Sequence, residues 1–195
     1  MQLSELVSEV YIQTNRPDLV DKTSSAIRAA TLLAHHSDFY NKDILETGIK
    51  FDTADYKQSL DTDIIPLYRK IKWIRKYDNA AQIAGDFLTI LTPGELLDDY
   101  GCEKANIAYE AGQNLQMSSS TELEYLLLAA YVSPDVTSLN YNSWVADNFP
   151  FLIIHAAAAK VFQSIGNLEQ AKAQKEDRNE QFVLFSSSSV ATIGE

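Results

Sequence analysis

The first residues in the chain that could bind a metal are His35, His36 and Asp38, which lie at the end of a predicted helix. Two imidazoles and a carboxylate are ligands that zinc accepts. Neighbouring residues on a helix point about 100° apart, so the two histidines cannot face one ion unless the backbone unwinds. Histidines near a helix C-terminus also interact favourably with the negative end of the helix dipole. We therefore expect these residues to be structural and predict no metal site.

His155 lies inside an apolar stretch, where burial could give it the pKa of a general base. The alternative is a core histidine that is hydrogen-bonded to a backbone carbonyl, and we favour this interpretation. A nucleophile motif of the type GxSxG is absent from the sequence. Cys102, the single cysteine, directly follows the glycine of a predicted helix stop, and we interpret it as a small packing residue.

Paired carboxylates occur at Asp98 and Asp99 and at Asp61 and Asp63. Neither pair has the alternating oxygen donors and the glycine of a calcium loop, so we expect both to be solvated. The sequence contains neither GxxxxGK[ST] nor GxGxxG, the loops that bind phosphates. The prediction is a protein without a catalytic site, a metal or a cofactor.

A local concentration of positive charge occupies Tyr68 to Tyr77, where five of the sixteen basic residues fall within eight positions and aromatic residues separate them. On a regular strand Lys70, Lys72 and Lys76 would share one face, which could contact DNA phosphates or an acidic partner. The alternative is a charged edge strand that blocks unwanted sheet pairing. The sequence leaves both interpretations open.

Composition sets the class of protein. A chain of 195 residues with 46% hydrophobic and 22% charged residues is an ordinary folded composition, long enough for a genuine core. A formal charge of −11 argues against wrapping nucleic acid as the main task, because phosphate binding needs local positive charge. One cysteine excludes an internal disulfide framework and suits a reducing compartment. The N-terminus begins an amphipathic pattern at once, so we expect no signal peptide.

Helices are predicted at both ends of the chain. Apolar residues at helical spacing indicate a first helix that ends near Thr14 and a second that starts at Pro17. The stretch from Phe151 to Ile165 is apolar on nearly every side, so other elements must bury it. It is too short to cross a bilayer. Pro150 should break the run before it, and Gly166 should end it.

Strands are predicted between these helices. Alternation indicates a strand over residues 45–51, then a polar connection over 52–63, and extended stretches over 64–77 and 86–91. Thr92 to Glu95 forms a capping box for a short helix that Gly101 ends. A hairpin turns at Gly112, and the apolar run over 123–132 is an interior strand.

The predicted fold class is α+β: a helical bundle of two N-terminal and two C-terminal helices with an inserted antiparallel β-sheet. We expect one domain over residues 1–185, with the β insertion at about 39–132. The last helix, from Leu168 to about Phe185, has a wholly polar middle and is either solvated or packed against another polar surface. Residues 186–195 should form a flexible tail until a partner orders them.

Five stretches of the sequence carry a resemblance to a known family: NRPDLVDKTSSAIRAATLLAHHSDFY, KWIRKYD, LTPGELLDDYG, LLLAAYVSPDV and SWVADNFPFLIIHAAAAKVFQSIGNLEQA. Together they resemble the head-to-tail adaptor proteins of tailed bacteriophages, also called connector or head-completion proteins. The resemblance runs from about Leu3 to Phe185.

This resemblance implies a structural protein of the virion neck, assembled as a homo-oligomeric ring of about twelve copies beneath the portal protein. Such a ring extends the channel for double-stranded DNA without sequence-specific binding, functions in genome retention and ejection, and offers a docking surface to tail or nozzle proteins. The implied location is the head-to-tail interface of the virion, and the host cytoplasm during assembly, with no membrane partner. The C-terminal segment from Phe182 to Glu195 would reach along the portal or a neighbouring subunit.

The predicted partner interface combines the basic stretch with positions of the last helix and the tail. It consists of Arg69, Lys70, Lys72, Trp73, Arg75, Lys76, Lys175, Arg178, Phe182, Phe185, Val190 and Ile193. Two alternatives to an adaptor remain open: a minor tail or tail-completion protein, and a small ligand-binding protein or enzyme that uses His155.

Overall fold

The computed structural model describes residues 1–92, 94–95, 104–137 and 139–193, with side chains as far as residue 188. The chain divides into two units. The helical unit comprises Met1–Asp43 and Ser133–Glu195, and the inserted unit comprises Ile44–Val132. The predicted α+β class is confirmed: N-terminal and C-terminal helices pack together, and a curled, largely antiparallel sheet lies between them in the sequence.

The first two helices follow from the spacing of their apolar residues. α1 spans Leu3–Thr14 and ends at Asn15, whose φ of 51° is the left-handed conformation common after a helix. α2 spans Val20–His35. The prediction that Pro17 opens this helix is wrong, because Pro17 lies in the turn and α2 begins three residues later. Both helices pack against the central C-terminal helix.

Two helices meet at the proline that the sequence marks as a break. α3 spans Trp144–Asn148, and α4 spans Pro150–Ser164 with Pro150 in its first turn. A proline is tolerated there because its missing N–H would have no partner inside the helix. α4 ends before Gly166, whose φ is 77°. The predicted break and stop are therefore both observed.

The last helix, α5, spans Leu168–Ile193 and packs against α4. It extends eight residues beyond the predicted end at Phe185 and includes Ser186 to Ser189, which were expected to belong to a tail. The expected tail is thus helical as far as Ile193, and its mobility stays a prediction.

Among the described residues, the helical unit buries one apolar core. Leu6 and Val10 of α1, Ile27 of α2 and Ile153 of α4 are fully buried in it. Phe185 of α5 is also fully buried there. No helix among these residues is both long and apolar enough to cross a lipid bilayer.

The inserted unit is a six-stranded sheet built on one long strand. Its strands are β1 (Ile44–Asp61), β2 (Tyr68–Asp78), β3 (Ile83–Phe87), β4 (Thr89–Leu91), β5 (Ile107–Ala111) and β6 (Asn114–Val132). β6 pairs with β1 along one edge, and with β5 and then β2 along the other. All these pairings are antiparallel, whereas β4 and β5 are parallel. The predicted turn at Gly112 connects β5 to β6, and its φ is 65°.

The sheet curls because β1 and β6 lose their regular pairing in the middle. Their register shifts between Lys50 and Lys57, and an irregularity of this kind bends a strand. Residues 52–57 are exposed, although β1 continues through them to Asp61. The predicted polar connection over 52–63 is therefore wrong for most of its length. The bend leaves both faces of the strand in solvent over residues 52–57, which explains why most of these residues are polar.

The remaining predictions for this unit are mixed. β2 begins only at Tyr68, because Pro66 has no N–H for the sheet and Leu67 has a positive φ of 56°. The predicted capping box is present: the backbone N–H of Thr92 donates to Oε2 of Glu95 over 2.7 Å. Pro93, the rest of that helix, the Asp98 pair and Cys102 lie outside the described residues.

Candidate partner interface

The basic stretch lies on β2, but its three lysines do not share a face. Lys70 and Lys72 are exposed. The register with β6 shifts between Ile71 and Trp73, so Ile71 and Ile74 are both buried although they are three residues apart. This shift exchanges the inward and outward positions, and the lysine prediction, which assumed a regular strand, is wrong for Lys76.

Lys76 is half-buried and contacts the sheet itself. Its Nζ lies 3.2 Å from Oγ1 of Thr121 and 3.4 Å from Oγ of Ser120, both close to the bend in β6. The lysine ammonium therefore donates to hydroxyl groups of its own chain. A partner that used Lys76 would have to replace these hydrogen bonds.

Two other basic side chains of β2, Arg75 and Lys72, lie over aromatic rings, Lys72 over Tyr131 at 5.9 Å. The guanidinium of Arg75 lies 4.4 Å from the centre of the Phe87 ring, and its Nε donates to the carbonyl of Gly85. Trp73 packs edge-on against the same ring at 5.9 Å. Phe87 itself is 56% exposed. Arg69 lies half-buried at the start of the strand. The patch thus combines positive charge with exposed aromatic surface.

A part-buried hydrogen bond connects β2 to β5. The hydroxyl of Tyr68 donates to Oε1 of Glu110, and the backbone N–H of Ile71 lies 3.4 Å from the same oxygen. Burial, followed by this hydrogen bond, raises the pKa of Tyr68 well above its ordinary value. Tyr68 therefore stays protonated, and its hydrogen bond stabilises the contact between β2 and β5.

Phe185 was predicted to contact a partner, and this prediction is wrong. Its side chain is fully buried, and its ring stacks on Trp144 at 5.8 Å. Tyr40 and Phe149 contact it edge-on, each with ring centres 5.2 Å away. Because α5 continues past Phe185, this residue is an interior position that anchors the helix to the core.

An apolar groove lies between α2, α4 and α5. Leu33, Leu152, Ala156 and Phe182 contribute to its walls, and the guanidinium of Arg178 also lines it. Its volume is about 250 Å³. Leu33 is 59% exposed and Phe182 is 40% exposed, so the groove is open to solvent. Two residues of the predicted interface, Arg178 and Phe182, therefore meet at one concave surface.

The outward side of α5 is also apolar near its C-terminus. Val183 is 67% exposed and Leu184 is 57% exposed. Lys175, two turns earlier, is exposed, and its contact with a partner stays a prediction. Val190 and Ile193 belong to α5, but their side chains lie outside the described residues.

A buried polar network that sequence analysis missed connects α2 to α3. Nδ1 of His35 lies 2.8 Å from Oδ1 of Asp43, and its Nε2 lies 2.9 Å from Oγ of Ser143. Nε1 of Trp144 donates to the same Asp43 oxygen over 2.7 Å. Ser143 could be foreseen as the cap of α3, but it is 108 residues from His35 in the sequence.

The order Ser143, His35, Asp43 matches that of a hydrolytic triad, but the environment is structural. Oγ of Ser143 also accepts the backbone N–H of Ala146 over 3.1 Å and so caps α3. The residues Ser143, His35 and Asp43 are 3%, 1% and 5% exposed, which leaves no path for a substrate to the hydroxyl. A neutral imidazole that donates to Asp43 and accepts from Ser143 satisfies every group in the network. We interpret the network as a lock between helices.

His155 has a different partner from the one predicted. Its Nδ1 lies 2.8 Å from the side-chain oxygen of Gln174 on α5, rather than from a backbone carbonyl. Gln174 is 8% exposed. The polar middle of α5 therefore packs in part against a polar side chain of α4, which is one of the two alternatives given for it.

No cluster of three or more metal-ligating side chains occurs within the part of the chain that the structure describes. In particular, His36 points away from the His35 network, and its Nε2 lies 2.9 Å from Oγ of Ser133.

Comparison with known proteins adds no relative. No protein-family model matches this chain, and no curated protein sequence matches it either. Its class is therefore defined by the fold alone: a helical unit with an inserted, curled β-sheet.

Proposed function

We propose that this protein is a structural component of a phage virion, a head-to-tail adaptor that forms a ring between portal and tail, extends the DNA channel and docks the tail. The resemblance of five stretches of the sequence motivates the proposal. The observation that carries it is on α5. Phe185 anchors this helix to the core, while Val183 and Leu184 expose apolar surface on its other side. This part of α5 is apolar on both sides, so its outward side needs a second surface to cover it.

The apolar groove between α2, α4 and α5 also supports a role in assembly. Its apolar walls include Leu33 and Phe182, which are 59% and 40% exposed, and this exposure is costly unless another chain covers them. The buried His35 network, in contrast, is closed to substrates, so the geometry favours association over catalysis.

Charge supports a passive passage for DNA. The net charge of −11 repels phosphate groups, so DNA can slide past most of the surface without binding. The basic and aromatic patch on β2 is then available to an acidic protein partner, the portal or a tail protein. The virion interface, and the host cytoplasm during assembly, are the corresponding locations.

The direct test is to measure the mass of the purified protein with and without the portal protein of the same virus. We expect a ring or a stable complex that forms with the portal. A protein that remains monomeric and ignores the portal contradicts the proposal. In assembled particles, an adaptor has the portal on one side and the tail on the other, whereas a tail-completion protein has tail proteins on both.

A further inference from the structure

One charged and two apolar side chains lie together on the outward side of α5. Residues Glu180, Val183 and Leu184 are three and four positions apart, so they lie on one face of the helix. At about 100° per residue, this face is opposite the one that buries Ala171, Gln174 and Phe185. We call Glu180, Val183 and Leu184 the outer ridge. Each of the three is exposed.

The groove between α2, α4 and α5 offers the matching features. It is apolar over most of its surface, and Arg178 adds one positive charge. Its volume of about 250 Å³ is below the range of about 300–1,000 Å³ that is usual for sites of drug-sized ligands. It therefore suits a few side chains better than a free small molecule. A helix that docks into such a groove presents anchors at positions i, i+3 and i+4.

We propose that the outer ridge of one copy of this chain occupies the groove of a second copy. Val183 and Leu184 enter between Leu33 and Phe182, and the carboxylate of Glu180 pairs with the guanidinium of Arg178. Both the shape and the sign of the charge support a second copy as the occupant. The ridge offers an apolar pair beside a negative charge, and the groove offers apolar walls beside a positive one.

The contact is necessarily head-to-tail, because ridge and groove lie on different sides of the same helix. A contact of this kind leaves one ridge and one groove unfilled at the ends of every open assembly. Copies therefore continue to add, and they form a ring if the rotation between neighbours closes and an open filament if it does not. Closure into a ring at the virion neck rests on the proposed function. The contact between two copies rests only on the residues of the outer ridge and the groove.

The first experiment removes the apolar part of the ridge. The double substitution V183D/L184D should abolish self-association, measured by sedimentation velocity, at concentrations where the wild-type protein assembles. Its circular dichroism, and its melting temperature at a dilution where the wild-type protein is monomeric, should stay unchanged, because both side chains are largely exposed in the single chain. The matched control is I12D, which places a charge at a 72% exposed apolar residue of α1 and should leave assembly intact.

The second experiment reverses the charges. E180R and R178E should each weaken self-association by about tenfold, because each creates a pair of like charges in the contact. The combined variant R178E/E180R should recover most of the loss, since the pair is restored with its signs exchanged. E122R, which reverses an exposed acidic residue of the inserted unit, serves as the control and should assemble like the wild-type protein.

The results separate this inference from the proposed function. Wild-type protein that stays monomeric up to about 100 µM overturns the inference, and so does an assembly that tolerates V183D/L184D or shows no recovery in the double charge reversal. The adaptor proposal is then judged separately by binding to the portal. Conversely, an assembly that responds as described but ignores the portal supports the contact and contradicts the adaptor.

Discussion

Replacing Asp43 by alanine should strongly destabilise the helical unit. Oδ1 of this residue is the common acceptor for Nδ1 of His35 and Nε1 of Trp144, at 2.8 and 2.7 Å. The side chains of His35 and Asp43 are only 2% and 3% exposed, so bulk water does not reach the His35 donor, whereas the Trp144 donor is part-buried. The alanine variant leaves both N–H groups without their acceptor.

The expected loss follows from those two donors. The buried His35 donor left unsatisfied costs about 1–3 kcal/mol and the part-buried Trp144 donor costs less, so Asp43→Ala should lower the free energy of unfolding by about 2–4 kcal/mol. The total for a domain is typically about 5–15 kcal/mol, so the variant would be marginally stable. Asp43→Asn keeps an acceptor oxygen but loses the charge, and it should cost less, about 1–2 kcal/mol.

Urea unfolding measures this loss, with tryptophan fluorescence as the signal. The chain has two tryptophans, Trp73 in the inserted unit and Trp144 in the helical unit. In a Trp73→Phe background the fluorescence therefore reports on the helical unit alone. Ser143→Ala, which removes a helix cap and one bond to His35, is the intermediate control, with an expected loss of about 1 kcal/mol.

A small effect would refute the lock between helices. An ordinary surface substitution changes the free energy of unfolding by no more than about 0.5 kcal/mol. If Asp43→Ala changes it by no more than this, then the network does not hold α2 to α3. An Asp43→Asn variant as unstable as Asp43→Ala would show instead that the negative charge, and not the acceptor oxygen, stabilises the unit.

Three further predictions concern single contacts. Because the folded pKa of Tyr68 is raised above its ordinary value of 10.0, its stabilising effect is present below about pH 10 and is lost as the pH rises further. Between about pH 8 and about pH 11, the free energy of unfolding measured with urea should fall less for Tyr68→Phe than for the wild-type protein. Gly112→Ala should cost about 1–2 kcal/mol in thermal unfolding, because alanine is strained at a φ of 65°. Gln174→Leu should cost about 1 kcal/mol in urea unfolding, because Nδ1 of His155 loses its partner.

The parts of the fold that were predictable are those with a strong local pattern. The apolar run of α4 and that of β6 over residues 123–132 indicated buried elements, and both are buried. β1 was predicted only as far as residue 51, because its second part alternates poorly and lies at an exposed bend. The bulge in β2 was not predictable, since it depends on pairing with β6 and leaves no mark in the alternation of the sequence.

Less of the candidate partner interface could be predicted from the sequence. Arg178 and Phe182 were predicted from their helical spacing, but the groove that joins them to Leu33 exists only after α2 and α5 pack. Phe185 was assigned to a partner because the resemblance implies that the segment from Phe182 to Glu195 reaches along the portal or a neighbouring subunit. Its contact with Trp144 is a tertiary feature that no local pattern encodes.

The pairing of Ile44 with Tyr131 places the first residues of β1 next to the last residues of β6. The polypeptide thus enters and leaves the sheet through two adjacent strands, and a tight turn of about two to five residues is enough to bridge them. The sheet is therefore an insertion whose two ends meet. A short turn in its place would leave the two chain ends of the helical unit at their present separation.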